Sequence, residues 1–260
     1  KTMTDYPNNI PAKLEIIKAS EIIPKEVRWL WYPYIPYGKV SIVQGDPGEG
    51  KTTFILRLAA LLTKGEPLPG EEGQNLREPI NVIYQNAEDG LEDTIKPRLL
   101  AAGADCSRVM VIDESLKSLT MTDERLVRAI KETGAKMVVL DPIQAYLGAN
   151  VDMHRANEIR AVLKRLARIA EECDCAIILI GHMNKASGSK STYRGLGSID
   201  FQAMARSVLV VGRVKNDPTL RVIAHDKSSL APEGASIAFR LDKENGFRWE
   251  GPCDITVDEL

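Results

Sequence analysis

The sequence lacks two features that would mark a membrane or secreted protein. It has no apolar run of about 18 residues, the length that crosses a bilayer as a helix, and no stretch with the charged start and short apolar core of a signal peptide. Its charges are nearly balanced, with a net charge of −2. Because such a chain has no global attraction to polyanions, any nucleic-acid site must be local. We therefore expect a cytoplasmic protein without a membrane partner.

The sequence is also poor in cysteine, with four in 260 residues. They are Cys106, Cys173, Cys175 and Cys253. The Cys173 and Cys175 pair has C-x-C spacing and no second pair at the spacing of a zinc site. This pattern favours buried thiols in a reducing compartment over a metal site or disulfides.

The stretch VQGDPGEGKTTFI, residues 43–55, joins a short alternating apolar run to a run with helical spacing. Its glycines let backbone N–H groups curl around an anion, and the start of the following helix adds partial positive charge. Lys51 is spaced to reach the β- and γ-phosphates of a nucleotide, and the Thr52 hydroxyl to coordinate Mg²⁺. We therefore predict a site for ATP and Mg²⁺; a turn that merely needs glycine is the alternative. The predicted nucleotide-binding residues are Gly45, Asp46, Pro47, Gly48, Glu49, Gly50, Lys51, Thr52 and Thr53.

Strands and helices alternate along most of the chain. INVIYQNAEDG, RVMVIDE, KMVVLDP and AIILIGH predict strands, and LEDTIKPRLLAAG predicts a helix interrupted or kinked at Pro97. This alternation predicts an α/β fold with a mostly parallel sheet covered by helices on both faces. The last part of the chain predicts four consecutive strands, which would extend the same sheet in antiparallel fashion.

The chain is predicted to consist of an N-terminal segment, 1–38, and one large domain, 39–260. The segment ends in VRWLWYPYIPYGK, which concentrates tryptophan and tyrosine just before the first core strand. We interpret it as an apolar flap packed on the sheet edge, and an aromatic wall for the nucleotide base is the alternative.

Two acids follow strands at the end where open α/β sheets bind ligands. Asp141 comes after four apolar residues and is predicted to hold Mg²⁺ through water; a cap on the next turn is the alternative. Pro142 stands where many P-loop ATPases have a glutamate, so the base that activates water must lie elsewhere. Glu88 is the candidate, with Asp89 as its neighbour or substitute, and a solvated acidic loop is the alternative.

Glu88, Asp141 without a following acid, and the run IGHMNKASGSKSTYRGLGSIDFQAMARSVLVV together resemble the RecA-like ATPases. Within them, the chain resembles the RepA-like hexameric replicative helicase branch of plasmids and mobile elements, from about Trp29 to Phe239. The resemblance implies that the strand ending at His182 lies between the P-loop strand and the Asp141 strand. His182 would then face the γ-phosphate as a sensor; a hydrogen-bonded core histidine is the alternative.

The resemblance also implies two DNA-contacting loops, QAYLGANVDMHR and NKASGSKSTYRG. The second would offer Lys185, Lys190 and Arg194 to the phosphates of single-stranded DNA and the Tyr193 ring to a base. A solvated surface loop has the same composition.

Related hexamers carry basic residues that reach the γ-phosphate of a neighbouring subunit. Lys227 falls at that place, and Arg206 is a second candidate. Related helicases often have an arginine two residues after the lysine, where this chain has Ser229. The implied assembly is a homo-oligomer, a hexameric ring.

These features together predict a Mg²⁺-dependent ATPase of RecA-like fold that couples hydrolysis to single-stranded DNA binding or translocation, as the replicative helicase of a mobile element. One alternative is a RadA-type recombination or repair ATPase without unwinding activity. The other is a nucleotide-dependent switch or loader that binds a partner protein.

Overall fold

The computed structural model describes residues 12–71, 73, 77–152, 155–182 and 199–260. The strands are β1 (Trp29–Trp31), β2 (Ile35–Pro36), β3 (Val40–Gly45), β4 (Val82–Asn86), β5 (Val109–Met110), β6 (Met137–Asp141), β7 (Ala176–His182), β8 (Ser207–Val214), β9 (Asp217–Ser228), β10 (Ser236–Asp242) and β11 (Gly246–Cys253). The helices are α1 (Lys51–Lys64), α2 (Lys96–Ala102), α3 (Glu124–Thr133), α4 (Ala156–Cys173) and α5 (Ile199–Met204).

Nine strands of the described chain form one sheet, in the order β11–β10–β9–β8–β3–β7–β6–β4–β5. The P-loop strand β3 is parallel to both of its neighbours, β7 and β8, and β6, β4 and β5 continue the parallel part. β9 turns back against β8, and β10 and β11 continue in antiparallel fashion. The predicted fold, a mostly parallel sheet with a C-terminal antiparallel extension, is confirmed.

Both faces of the sheet are covered by helices, as the alternation of elements predicts. β6 shows how the sequence divides between the faces: Val139 packs with α1 and α2, whereas Val138 and Leu140 pack with α3 and α4. Burying each such aliphatic side chain contributes about 1.5–3 kcal/mol. A run of apolar residues therefore fits a strand that is buried on both faces.

The register of the parallel strands brings their carboxyl ends to one edge of the sheet. Gly45 at the end of β3 pairs with His182 at the end of β7. Asn86 at the end of β4 pairs with Asp141 at the end of β6. Residues that are far apart in sequence therefore meet at this edge, where the P-loop begins.

The structure corrects one local prediction and refines another. RVMVIDE predicts a long strand, but β5 pairs with β4 only at Val109 and Met110. Beyond them the Gln85 side chain takes the place of main-chain pairing, because its amide accepts from the Ile112 N–H at 2.6 Å and donates to the Ile112 carbonyl at 3.2 Å. The helical run Leu91–Ala102 changes next to Pro97 from a π-helical turn, Leu91–Ile95, to α2, which agrees with the predicted interruption.

The aromatic flap before β3 packs into the core. Trp31 is fully buried, its indole N–H donates to the Pro69 carbonyl at 2.9 Å, and its ring lies 6.1 Å from that of Phe54 in α1. Tyr34 is also buried, and Tyr32 is exposed. These contacts favour the packed flap over a wall for the nucleotide base.

Two sequence expectations concern the surroundings of the chain. Within the described ranges no helix combines the length and apolar character needed to cross a membrane. Of the C-x-C pair, Cys175 is buried and Cys173 half-buried, and burial raises the pKa of Cys175 to about 12. These thiols are therefore protonated at neutral pH.

Candidate nucleotide-binding site

The P-loop turns from β3 into α1 with a geometry that needs its glycines. Gly50 has φ of 103°, a left-handed conformation, and it is followed at once by the first helical residue, Lys51. A Cβ on Gly45 would lie 2.3 Å from the Val211 carbonyl oxygen of β8, so only glycine fits this close approach. The start of α1 therefore points its free N–H groups at the carboxyl edge of the sheet.

Lys51 is held inside the loop by three contacts. Its ammonium donates to the Gly45 carbonyl at 2.7 Å and the Asp46 carbonyl at 3.1 Å, and it lies 3.0 Å from Nδ1 of His182. Burial lowers the pKa of Lys51 to about 8, although nearby carboxylates such as Asp141 oppose the shift. An incoming phosphate would oppose this shift and raise the pKa of the amine again.

Thr52 and Asp141 provide an oxygen pair suited to Mg²⁺. The Thr52 hydroxyl donates to Oδ2 of Asp141 at 2.9 Å, and the Tyr84 hydroxyl donates to the same oxygen at 3.2 Å. Asp141 is buried, and burial raises the pKa of its carboxyl group. A hydroxyl beside a carboxylate is the donor set that Mg²⁺ takes in phosphate-binding sites, so the residues fit the predicted metal.

Glu88 and His182 complete the same edge. Nε2 of His182 lies 3.5 Å from Oε1 of Glu88, and the Glu88 side chain is about half exposed. His182 is on β7, and β7 lies between β3 and β6 as the resemblance implies. Asp89, the proposed substitute base, is instead 3.9 Å from Arg98. The imidazole ring of His182 thus contacts both the Lys51 ammonium and the Glu88 carboxylate.

Besides Tyr84, two polar side chains at the site are not found by sequence reasoning. Asn86 accepts from the backbone N–H groups of Glu88 and Asp89 at 2.8 Å each, an Asx turn that the N-A-E-D pattern could have indicated. Arg221 of β9 is buried and donates to the Gly48 carbonyl of the P-loop at 3.1 Å. No local signal could have indicated Arg221, because it comes from a distant strand.

Lys227 and Arg206 lie at the opposite edge of the sheet from the P-loop. Lys227 pairs with Val208 near the start of β8, and the start of β8 pairs with Ser41 near the start of β3. The strand from Ser41 to Gly45 spans about 13 Å. The Lys227 ammonium donates to the Gln202 and Ala203 carbonyls at 2.8 and 3.0 Å.

Arg206 is exposed near Lys227, and burial together with the charge of Arg206 lowers the pKa of that lysine. Neither side chain contacts the P-loop of its own chain. The predicted DNA-binding residues Lys185, Lys190, Tyr193 and Arg194 lie outside the described residues.

Comparisons with known proteins agree with this geometry. The AAA_25 family, described as an AAA domain, matches residues 7–188. A DNA repair protein RadA of Helicobacter pylori strain J99 is 29% identical over 218 residues, which are 82% of this chain and 42% of that protein. The DNA repair protein RadA of Bacillus subtilis strain 168 is 26% identical over 225 residues, 85% of this chain and 43% of that protein. The chain thus spans less than half the length of these curated relatives.

A solved structure shows the same fold. This structure, described as an ATPase domain, superposes with a TM-score of 0.62 and 16% sequence identity, over 82% of this chain and 84% of that one. The family match covers well over half of the chain, and it includes the P-loop, Glu88 and Asp141. The chain belongs to the AAA_25 family and is a RecA-like P-loop ATPase.

Proposed function

We propose that this chain is a Mg²⁺-dependent ATPase that couples hydrolysis to binding or translocation of single-stranded DNA, as a subunit of a homo-oligomeric, hexameric replicative helicase of a mobile element in the cytoplasm. The observation that carries the ATPase part is the hydrogen bond of 2.9 Å between Thr52 and Asp141, next to the P-loop lysine. A hydroxyl from the first turn of α1 and an acid from β6 have no packing reason to meet at a buried, charged position.

Nucleotide binding would use the same groups that stabilise the P-loop when no nucleotide is bound. The triphosphate would replace the Gly45 and Asp46 carbonyls as partners of the Lys51 ammonium, and the N–H groups at the start of α1 would contact its oxygens. Thr52 and Asp141 would hold Mg²⁺, which neutralises charge on the phosphates when bound.

Glu88 is the proposed base for the attacking water. It is half exposed, so it has access to water, and its loop follows β4 at the ligand-binding edge. His182 contacts both Lys51 and Glu88. A γ-phosphate that draws Lys51 away would leave His182 with Glu88 alone, which is how His182 would act as a sensor.

The DNA part is tested by turnover and unwinding. ATP hydrolysis by the purified chain is measured with and without single-stranded DNA, and strand displacement is measured on a forked duplex. We expect DNA to stimulate hydrolysis and unwinding to require ATP. A hydrolysis rate that is the same with and without DNA, together with no strand displacement, would contradict the helicase proposal. It would support the alternative of a nucleotide-dependent switch or loader.

The proposed DNA contacts lie in the loop that contains Lys185 and Lys190. We expect Lys185→Ala combined with Lys190→Ala to weaken single-strand binding for all sequences and to reduce the log–log salt slope by about 1.4 units, since two phosphate contacts are lost. Binding titrations at several salt concentrations measure this slope. The control is Lys164→Ala combined with Arg165→Ala, at two exposed positions of α4. An unchanged slope in the loop variant would move the DNA site elsewhere.

A RadA-type recombination or repair ATPase is the second candidate. It is favoured by the curated relatives, which are named as DNA repair proteins. Hydrolysis stimulated by DNA without strand displacement on the forked duplex would support it over the helicase.

A further inference from the structure

Asn86 lies between the two acids of the proposed reaction. It is the last residue of β4, and it pairs across the sheet with Asp141 at the end of β6. The chain turns immediately after it, and two residues later comes Glu88. No other described residue is hydrogen-bonded through its side chain to both Asp141 and the backbone of the Glu88 turn.

The Asn86 amide uses both of its ends. Oδ1 accepts from the N–H groups of Glu88 and Asp89, both at 2.8 Å. Nδ2 donates to the Tyr84 hydroxyl at 3.0 Å and to Oδ2 of Asp141 at 3.3 Å. Because two N–H donors face one end and two oxygens face the other, the orientation of the amide is fixed.

These bonds tie the Glu88 turn to the acid that would hold Mg²⁺. Among the described residues, the main-chain partner of this turn across the sheet is the Asp141 carbonyl, which accepts from the Ala87 N–H at 3.0 Å. Glu88 itself is half exposed, so packing does little to fix it. The two bonds that the Asn86 amide accepts therefore fix the backbone N–H groups of Glu88 and Asp89.

We infer that Asn86 is a positioning residue that sets the place of Glu88 relative to Asp141 and thereby the turnover of the site. The inference rests on the proposed ATPase function. Asn86 is not expected to touch the nucleotide, because its amide is fully occupied within the protein. Its loss should leave nucleotide binding intact and let the base move away from the attacking water.

Asn81 offers a matched control at the other end of the same strand. It directly precedes β4 and is half-buried like Asn86. Its amide also bridges elements, because Nδ2 donates to the Thr133 carbonyl at 2.7 Å and Oδ1 accepts from Arg108 at 3.0 Å. A general loss of stability around β4 would appear in both variants, whereas a loss of turnover alone would appear only at Asn86.

The test compares steady-state ATP hydrolysis of the full chain and its variants. We expect Asn86→Ala to lower kcat about 10- to 100-fold, because a base displaced by about 1 Å acts poorly, and to leave KM within about threefold. Asn81→Ala should keep the parent kcat. In a Glu88→Gln background, Asn86→Ala should cause a clearly smaller loss than in the parent, because the base that Asn86 positions is already gone and only its bond to Asp141 remains.

Each outcome decides the inference. A parent chain that hydrolyses no ATP overturns both the proposed function and this inference. An active parent with Asn86→Ala at the parent kcat, or with equal losses in the parent and Glu88→Gln backgrounds, overturns the inference alone. If Asn86→Ala does not fold, Asn86→Ser is used in the same comparison, since its hydroxyl accepts the turn bonds more weakly; a smaller loss of kcat at constant KM is then expected.

Discussion

Single side chains at the nucleotide site have partners within the protein that a ligand would replace. Lys51 bonds to carbonyls of its own loop, and His182 lies between Lys51 and Glu88. Binding and chemistry are therefore assigned to different groups: Lys51 to the phosphates and Glu88 to water. This division can be separated by substitution.

We expect Glu88→Gln to keep nucleotide affinity and to lower turnover by about 10²-fold or more, because the amide cannot accept the proton of water. Lys51→Ala should instead weaken nucleotide binding itself. Affinity is measured by titration calorimetry and turnover by phosphate release. Asp89→Asn, on the same loop, should stay near the parent rate, and a parent rate in Glu88→Gln would instead make Asp89 the base.

Sequence reasoning finds the residues whose signal is local. The P-loop spacing identifies Lys51 and Thr52, and the end of an apolar run identifies Asp141. The structure brings these three residues together at one edge of the sheet. Sequence reasoning misses Arg221, whose bond to Gly48 depends on the pairing of distant strands. The sequence also predicts β5 to be longer than it is. Nothing in RVMVIDE shows that Ile112 bonds to the Gln85 side chain instead of to the main chain of β4.

Among the elements, β9 ties the antiparallel extension to the P-loop half of the sheet through a buried histidine. Nδ1 of His225 accepts from the Gly234 N–H at 3.0 Å, so the neutral ring carries its proton on Nε2, which lies 2.8 Å from the Ser207 hydroxyl at the start of β8. Burial lowers the pKa of His225 to about 4. Protonation would break the bond to Gly234 and charge a buried ring.

This predicts an acid-sensitive extension. His225 binds a proton below about pH 6.5 in the unfolded chain but only below about pH 4 in the folded chain. Its contribution to stability is therefore fully present above about pH 6.5 and is lost as the pH falls towards 4. The His225 contribution should fall by about 2 kcal/mol from pH 7 to pH 5. Urea unfolding at the two pH values measures it. His225→Gln, which does not titrate, should show a pH dependence smaller by that amount, and an equal dependence in both proteins would contradict the assignment.

At the scale of the whole molecule, we propose that the nucleotide site is completed by a second subunit. Lys227 and Arg206 lie at the edge of the sheet opposite the P-loop of their own chain, so a role at the phosphates would require the P-loop of a neighbouring subunit. In the single chain the Lys227 ammonium is bound to two α5 carbonyls, which it would have to leave. The resemblance and this geometry motivate a test by complementation.

We expect Lys51→Ala and Lys227→Ala, each inactive alone, to recover ATPase activity when mixed. A random mixture pairs an intact pocket with an intact Lys227 at about a quarter of its interfaces, so recovery should approach that fraction of the parent rate. Lys51→Ala mixed with Glu88→Gln is the control, because neither subunit then has an intact pocket. Co-assembly without recovery would exclude Lys227 as the trans residue, and the mixture is then repeated with Arg206→Ala.

The position of β8 beside β3 has a consequence for synthesis on the ribosome. The P-loop strand ends at Gly45, but its neighbour on one side, β8, begins at Ser207, about 160 residues later. At roughly 5–20 residues per second, the nascent chain waits about 10–30 s for that strand. During this time β3 has an unpaired edge that other nascent strands could join. The matched family region ends at residue 188, so a polypeptide cut there would keep that edge permanently.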